Sequence, residues 1–223
     1  MPRIFFIIFL YIYLFYGCLV KPNPEQITVV MPGDPKSLDP AHATDVRTGQ
    51  LCALLYDNLV HFGKGSEILP GLAESWRISM DGNRYYFKLR EDVYFKNGDI
   101  FSCQDVKASF ERILSPNTQS HRTWLFNKVK GAKQFIEKKA ETVSGFNCVS
   151  NIEFEIELTQ AFSPFLGLLA MPAAAIIKEN QSGEIVGTGP WVLQEWIHDG
   201  HLVFNRNENY FDGPPRSKYL KVR

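Results

Sequence analysis

His198 and His201 flank an Asp-Gly pair, and two imidazoles so placed could both touch a metal ion. The competing reading of "IHDGH" is the polar tip of a hairpin, and that is the one adopted here. Asp39, Asp45 and Asp57 form a nominal carboxylate set, but their spacing supplies no acid/base partner. Turn chemistry in D-P and T-D contexts accounts for them. No stretch carries G-x-S-x-G, H-E-x-x-H, a P-loop or an EF-hand loop. No C-x-x-C occurs either, which disfavours zinc and thioredoxin-type chemistry. An enzyme has no positive support here, and no cofactor is implied. With 24 basic and 24 acidic residues the formal net charge is zero, whereas a protein that neutralises many phosphates carries a basic excess.

The 223 residues, 45% hydrophobic and 22% charged, suit one large domain or two small ones. Aromatics reach 13%, which fits core and sheet packing or, more sharply, a recognition cleft. The start, "MPRIFFIIFLYIYLFYGC", has one cation, Arg3, then an apolar run shorter than a membrane span. It reads as a signal peptide over 1–17. A small residue followed by Cys18 is the pattern of a bacterial lipoprotein, with Cys18 lipidated; ordinary cleavage and an uncleaved anchor are the alternatives. Either way the folded part lies outside the inner membrane. Cys52, Cys103 and Cys148 remain, and they admit one disulfide with a free thiol or three buried thiols.

Elements follow from period and punctuation. "QITVVMP" is a short strand, and the segment from Gly33 to Gly49 is an extended loop without helical period. Leu51, Leu54, Leu55 and Leu59 recur at helical spacing over 50–59. "WRISMDGNRYYFKL" is a hairpin with an Asp-Gly turn, and Tyr85, Phe87 and Leu89 share one face. "VYFKNGDIF" repeats the device at Asn97-Gly98. Ser102 and Asp105 form a capping box ahead of the stripe Val106, Phe110, Ile113 and Leu114. Gly131 to Lys139 reads as a second, basic helix. In "NIEFEIELTQ" Ile152, Phe154, Ile156 and Leu158 face in while the glutamates face out. Ser163 and Pro164 open a further helix. "GTGPWVLQEWIHDGHLVFNRNENYFDGPP" reads as glycine turn, strand, polar turn, strand and loop, and "RSKYLKVR" as the start of another strand.

Leu69 to Leu114, with its A-E-S-W, D-G, Y-F-x-L-R and D-V…E-R pattern, strongly resembles the family-5 extracellular solute-binding proteins of bacterial ABC transporters, the oligopeptide and dipeptide binders. "DPKSLDPAHATD", "IEFEIELTQAFSPFLGLLA" and the "GTGPW…NRNENYF" stretch resemble further family segments, in family order. The resemblance implies a mixed α/β, type II clamshell like the periplasmic binding proteins. It implies a first lobe plus an extra domain, with the second lobe missing. The expected division is lobe one over 18–56, an inserted extra domain over 57–174, and the rest of lobe one over 175–223, truncated at the crossover. Tyr219 to Arg223 would then be a strand sent toward a sheet whose other strands are absent.

The resemblance further implies an extended peptide ligand held by main-chain hydrogen bonds between two closing lobes, for delivery to permease subunits. The peptide-pairing strand falls on Thr44, Asp45 and Val46, the extra domain's wall on Arg122 and Trp124, and the hinge-side turn on Trp191. A plain loop at Thr44–Val46 and core packing of both tryptophans are the bland alternatives. Arg122 stands where the family often has an aromatic. With one wall of the cleft, the chain alone is expected to bind peptide at best millimolar, about 4 kcal/mol. The alternatives are half of a split binder completed by a separate polypeptide, and a surface lipoprotein with an interaction role. Nickel, haem and sugar binders share the architecture, so peptide is the prior.

Overall fold

The structure is a computed structural model that describes residues 25–180 and 182–223. The signal-peptide reading and Cys18 lie outside the described residues. The strands in chain order are β1 (Gln26–Val29), β2 (Val60–Phe62), β3 (Ile68–Pro70), β4 (Ala73–Ile78), β5 (Arg84–Leu89), β6 (Phe146–Ser150), β7 (Glu153–Glu157), β8 (Lys178–Glu179), β9 (Ile185–Val186), β10 (Trp191–Ile197), β11 (His201–Arg206) and β12 (Tyr219–Val222). The helices are α1 (Val46–Leu55), α2 (Cys103–Leu114), α3 (Ala132–Ile136) and α4 (Phe165–Leu169). Among the described residues no helix is long and apolar enough to cross a membrane.

Two four-stranded sheets organise this mixed α/β fold. One has the order β4-β5-β7-β6 and is antiparallel throughout. Alternation builds it: Tyr85, Phe87, Leu89, Phe154 and Ile156 point into one core and are at most 2% exposed. On the other face Arg84 bridges Glu155 at 3.1 Å and Glu157 at 3.3 Å. Helix α2 lies against this core with Val106, Phe110, Ile113 and Leu114 buried. Its capping box is formed, with Asp105 Oδ2 accepting from Ser102 N–H at 2.8 Å. A disulfide from Cys103 to Cys148 ties the start of α2 to β6, and Cys52 is a buried free thiol.

The second sheet has the order β1-β12-β11-β10, and its core contains Leu51, Leu55, Trp191, Phe204 and Leu220. Here the structure corrects the expectation for the last strand. Strand β12 is not sent toward missing partners. It lies between β1, which it meets in parallel, and β11, which it meets antiparallel. The open edges belong to β1 and β10.

Five local expectations are also revised. Helix α1 begins at Val46, inside the supposed loop, because Asp45 caps it by accepting from Thr48 N–H at 3.0 Å. It stops at Leu55 rather than Leu59, since Tyr56 is extended. Asn97-Gly98 closes a tight loop with one bridge, Tyr94 to Ile100, rather than a second pair of strands. The basic helix covers only Ala132–Ile136, ended by Lys138 at φ 58°. Ser163 makes no cap bond, because Phe165 N–H is taken by the Phe162 carbonyl in a turn.

Candidate functional site

Four of the six residues singled out as ligand-binding converge. Thr44, Asp45, Val46 and Arg122 line one groove of about 410 Å³, whose other side is Met171, Pro172 and Ala173. The segment is not a strand. Asp45 has extended backbone as the cap of α1, and Val46 is the first helical residue. An irregular segment has no ladder to satisfy its carbonyls, so side chains do it. Arg122 Nε donates to the Ala43 carbonyl at 2.8 Å, which explains an arginine there. The Thr48 N–H, then the Thr48 hydroxyl, hold the Asp45 carboxyl below its ordinary range. Val46 is 76% exposed, an apolar side chain left at the groove mouth. Gly49 and Ala53 continue the wall along α1, small residues that leave the space open.

The tryptophans are elsewhere. Trp191 is 8% exposed in the core under the second sheet, and Trp124 stands half-exposed in the turn Thr123–Phe126, outside the groove. The two histidines are engaged by carboxylates: His198 Nδ1 lies 2.7 Å from Asp34 and His201 Nε2 lies 3.0 Å from Glu195. Among the described residues no cluster of three or more His, Cys, Asp or Glu could hold a metal.

A second cavity of about 340 Å³ shares Ala53 and Pro172 with the groove and adds His61, Arg90 and Tyr210. Its floor holds what sequence reasoning missed. Asp57 is not a turn former. It is a half-buried carboxyl, pushed up by burial, that accepts from Thr188 Oγ1 at 2.7 Å and Tyr210 OH at 2.9 Å. Nothing local signals partners more than a hundred residues away. The glycines of "GTGP" are explained beside it. A Cβ on Gly187 would stand 2.3 Å from the Leu55 carbonyl oxygen, so only glycine lets this turn close on the end of α1.

Lys96 reaches the same place, its ammonium donating to the Leu55 carbonyl at 2.6 Å. Burial pulls this lysine down to about 7, against the attraction of Asp57. Its unfolded value is 10.5, so between these values the unfolded chain binds the extra proton. Stability is therefore expected to rise with pH above 7, by up to about 1.4 kcal/mol per unit. Urea midpoints at about pH 7 and 8.5 measure it, and Lys96→Met should flatten the slope. That window stays below the range where the buried Cys52 thiol, pushed up to about 12, acts in the opposite sense.

Residues 67–223 match the family described as bacterial extracellular solute-binding proteins, family 5 middle. The chain belongs to this family. Among family-5 relatives, the nickel-binding periplasmic protein of Escherichia coli (strain K12) is 33% identical over 207 residues, 88% of this chain and 37% of that one. Di/tripeptide-binding protein 2 of Pseudomonas aeruginosa (strain UCBPP-PA14) is 28% identical, over 90% of this chain and 41% of its own. The solved Escherichia coli murein tripeptide binding protein MppA superposes with a TM-score of 0.80 at 26% identity, over 88% of this chain and 41% of that one. This family-5 chain thus spans about two fifths of the length of the relatives it matches.

Proposed function

We propose that the chain captures peptides for an ABC importer, holding them in the groove beside the start of α1. The observation that carries this reading is the meeting of Thr44, Asp45, Val46 and Arg122 on one groove in a family-5 chain. Relatives named for di- and tripeptides and for a murein tripeptide support peptide as the ligand class. The shared Ala53 and Pro172 place the two cavities side by side along α1. The facing wall belongs to a second lobe, which corresponds to the length of the relatives that this chain does not span. Lobe one takes residues 18–56 and 175–223 and the extra domain 57–174, a division supported by the two separate cores. Delivery is to permease subunits from the periplasm, with Cys18 as lipid anchor. The Cys103–Cys148 disulfide supports an oxidising compartment.

The test is an NMR titration of the ¹⁵N-labelled chain with the tripeptide Ala-Leu-Ala. Saturable shifts are expected at the amides of Thr44, Asp45, Val46 and Arg122, with a Kd of about millimolar. Val46→Asp keeps the cap, because an acid is favourable in the first helical turn, but it places charge in an apolar groove. It should weaken binding at least about tenfold, roughly 1.4 kcal/mol. Shifts that avoid these residues sink the proposal. The 33% identity to a nickel binder makes Ni²⁺ the second arm, and saturation by Ni²⁺ without peptide response would reassign the ligand.

A further inference from the structure

We infer that Arg112 is a positioning residue for the ligand groove, fixing the path of residues 39–45 that brings Thr44 and Asp45 to its wall. This rests on the peptide-capture reading above. Arg112 sits in the last turn of α2 and does not line the groove. Its two terminal nitrogens donate to both oxygens of Asp39, at 3.0 and 2.7 Å, and its Nε donates to Glu179 at 3.0 Å. The Arg112 and Asp39 side chains are only 21% and 17% exposed, so water competes little for the pair.

Asp39 in turn accepts from Ala41 N–H at 2.9 Å and so caps the short turn Pro40–His42. Two further side chains grip the same stretch. Ser120 Oγ donates to the Ala41 carbonyl at 2.6 Å, and Arg122 Nε to the Ala43 carbonyl. All three donors belong to residues 112–122, so the end of α2 and the loop after it hold a segment that has no sheet ladder of its own. A forked guanidinium sets direction as well as distance, which an ammonium does not. Main-chain recognition of a peptide depends on that direction, because a site displaced by about 1 Å is already loose.

Arg112→Gln in the full chain should weaken Ala-Leu-Ala binding at least about fivefold in the NMR titration. Asp39→Asn should do the same, and the double variant should be no worse than either single one. Arg112→Lys should restore part of the affinity. Arg84→Gln, which breaks the Arg84 bridge to Glu155 and Glu157 outside the groove, is the control and should leave affinity unchanged. Unchanged binding in Arg112→Gln, or an equal loss in Arg84→Gln, overturns the inference. Amide exchange without peptide separates it from the peptide reading. Arg112→Gln should speed exchange at Ala41 and Ala43 about tenfold. Faster exchange in a protein that binds no peptide would fail the peptide reading and keep the positioning role, and unchanged exchange would overturn that role.

Discussion

Phe110→Ala is expected to lower the unfolding free energy by about 3–5 kcal/mol. The ring is fully buried at the centre of an aromatic group, with centroids at 4.6 Å from Phe126, 5.5 Å from Phe146 and 6.0 Å from Phe154. These partners come from a turn, from β6 and from β7, and α2 supplies Phe110 itself. Truncation removes the transfer energy of a whole ring and leaves a hole that rigid aromatic neighbours fill poorly. Phe110→Leu, which keeps most of the volume, should recover more than half of the loss. Urea denaturation measures both. A loss under about 1 kcal/mol for the alanine variant would mean that this core is not close-packed around Phe110.

Removing the disulfide by Cys103→Ser with Cys148→Ser is expected to cost about 4 kcal/mol, the loop-closure entropy for a crosslink whose ends are 45 residues apart. The bond joins the first residue of α2 to β6, so its loss also frees the helix start from the sheet. Reductant should reproduce the double substitution. The comparison is clean because Cys52 is fully buried and its thiol is pushed up to about 12, so it offers no thiolate for exchange. Equal urea midpoints with and without reductant would contradict the prediction.

Local grammar made a good part of the fold legible. The alternation of Ile152 to Leu158, the Asp81-Gly82 hairpin and the Ser102–Asp105 box each follow from a handful of neighbouring residues, and each stands in the structure. The start of α1 was missed although its signal was local: Asp45 with Thr48 is a helix cap, hidden behind the turn-rich "DPAHATD". The other misses are non-local. Parallel pairing of β1 with β12 leaves no mark in either strand, and Asp57 reads as a surface acid until Thr188 and Tyr210 close over it. Of the site, the family resemblance placed Thr44, Asp45, Val46 and Arg122. The opposite wall at Met171–Ala173 was unreadable because Pro172 in "AMPAA" signals only the end of a helix.

The junction of β1 with β12 sets a timetable. Gln26 faces Tyr219 across that pair, so during synthesis β1 has no sheet neighbour until Tyr219 has left the ribosome. At about 5–20 residues per second, that delay is of order 10–40 s. The sheet β4-β5-β7-β6 between them has all of its strands in hand well before then. Strand β1 meanwhile stays unpaired with Ile27 and Val29 uncovered, an edge that a chaperone could shield.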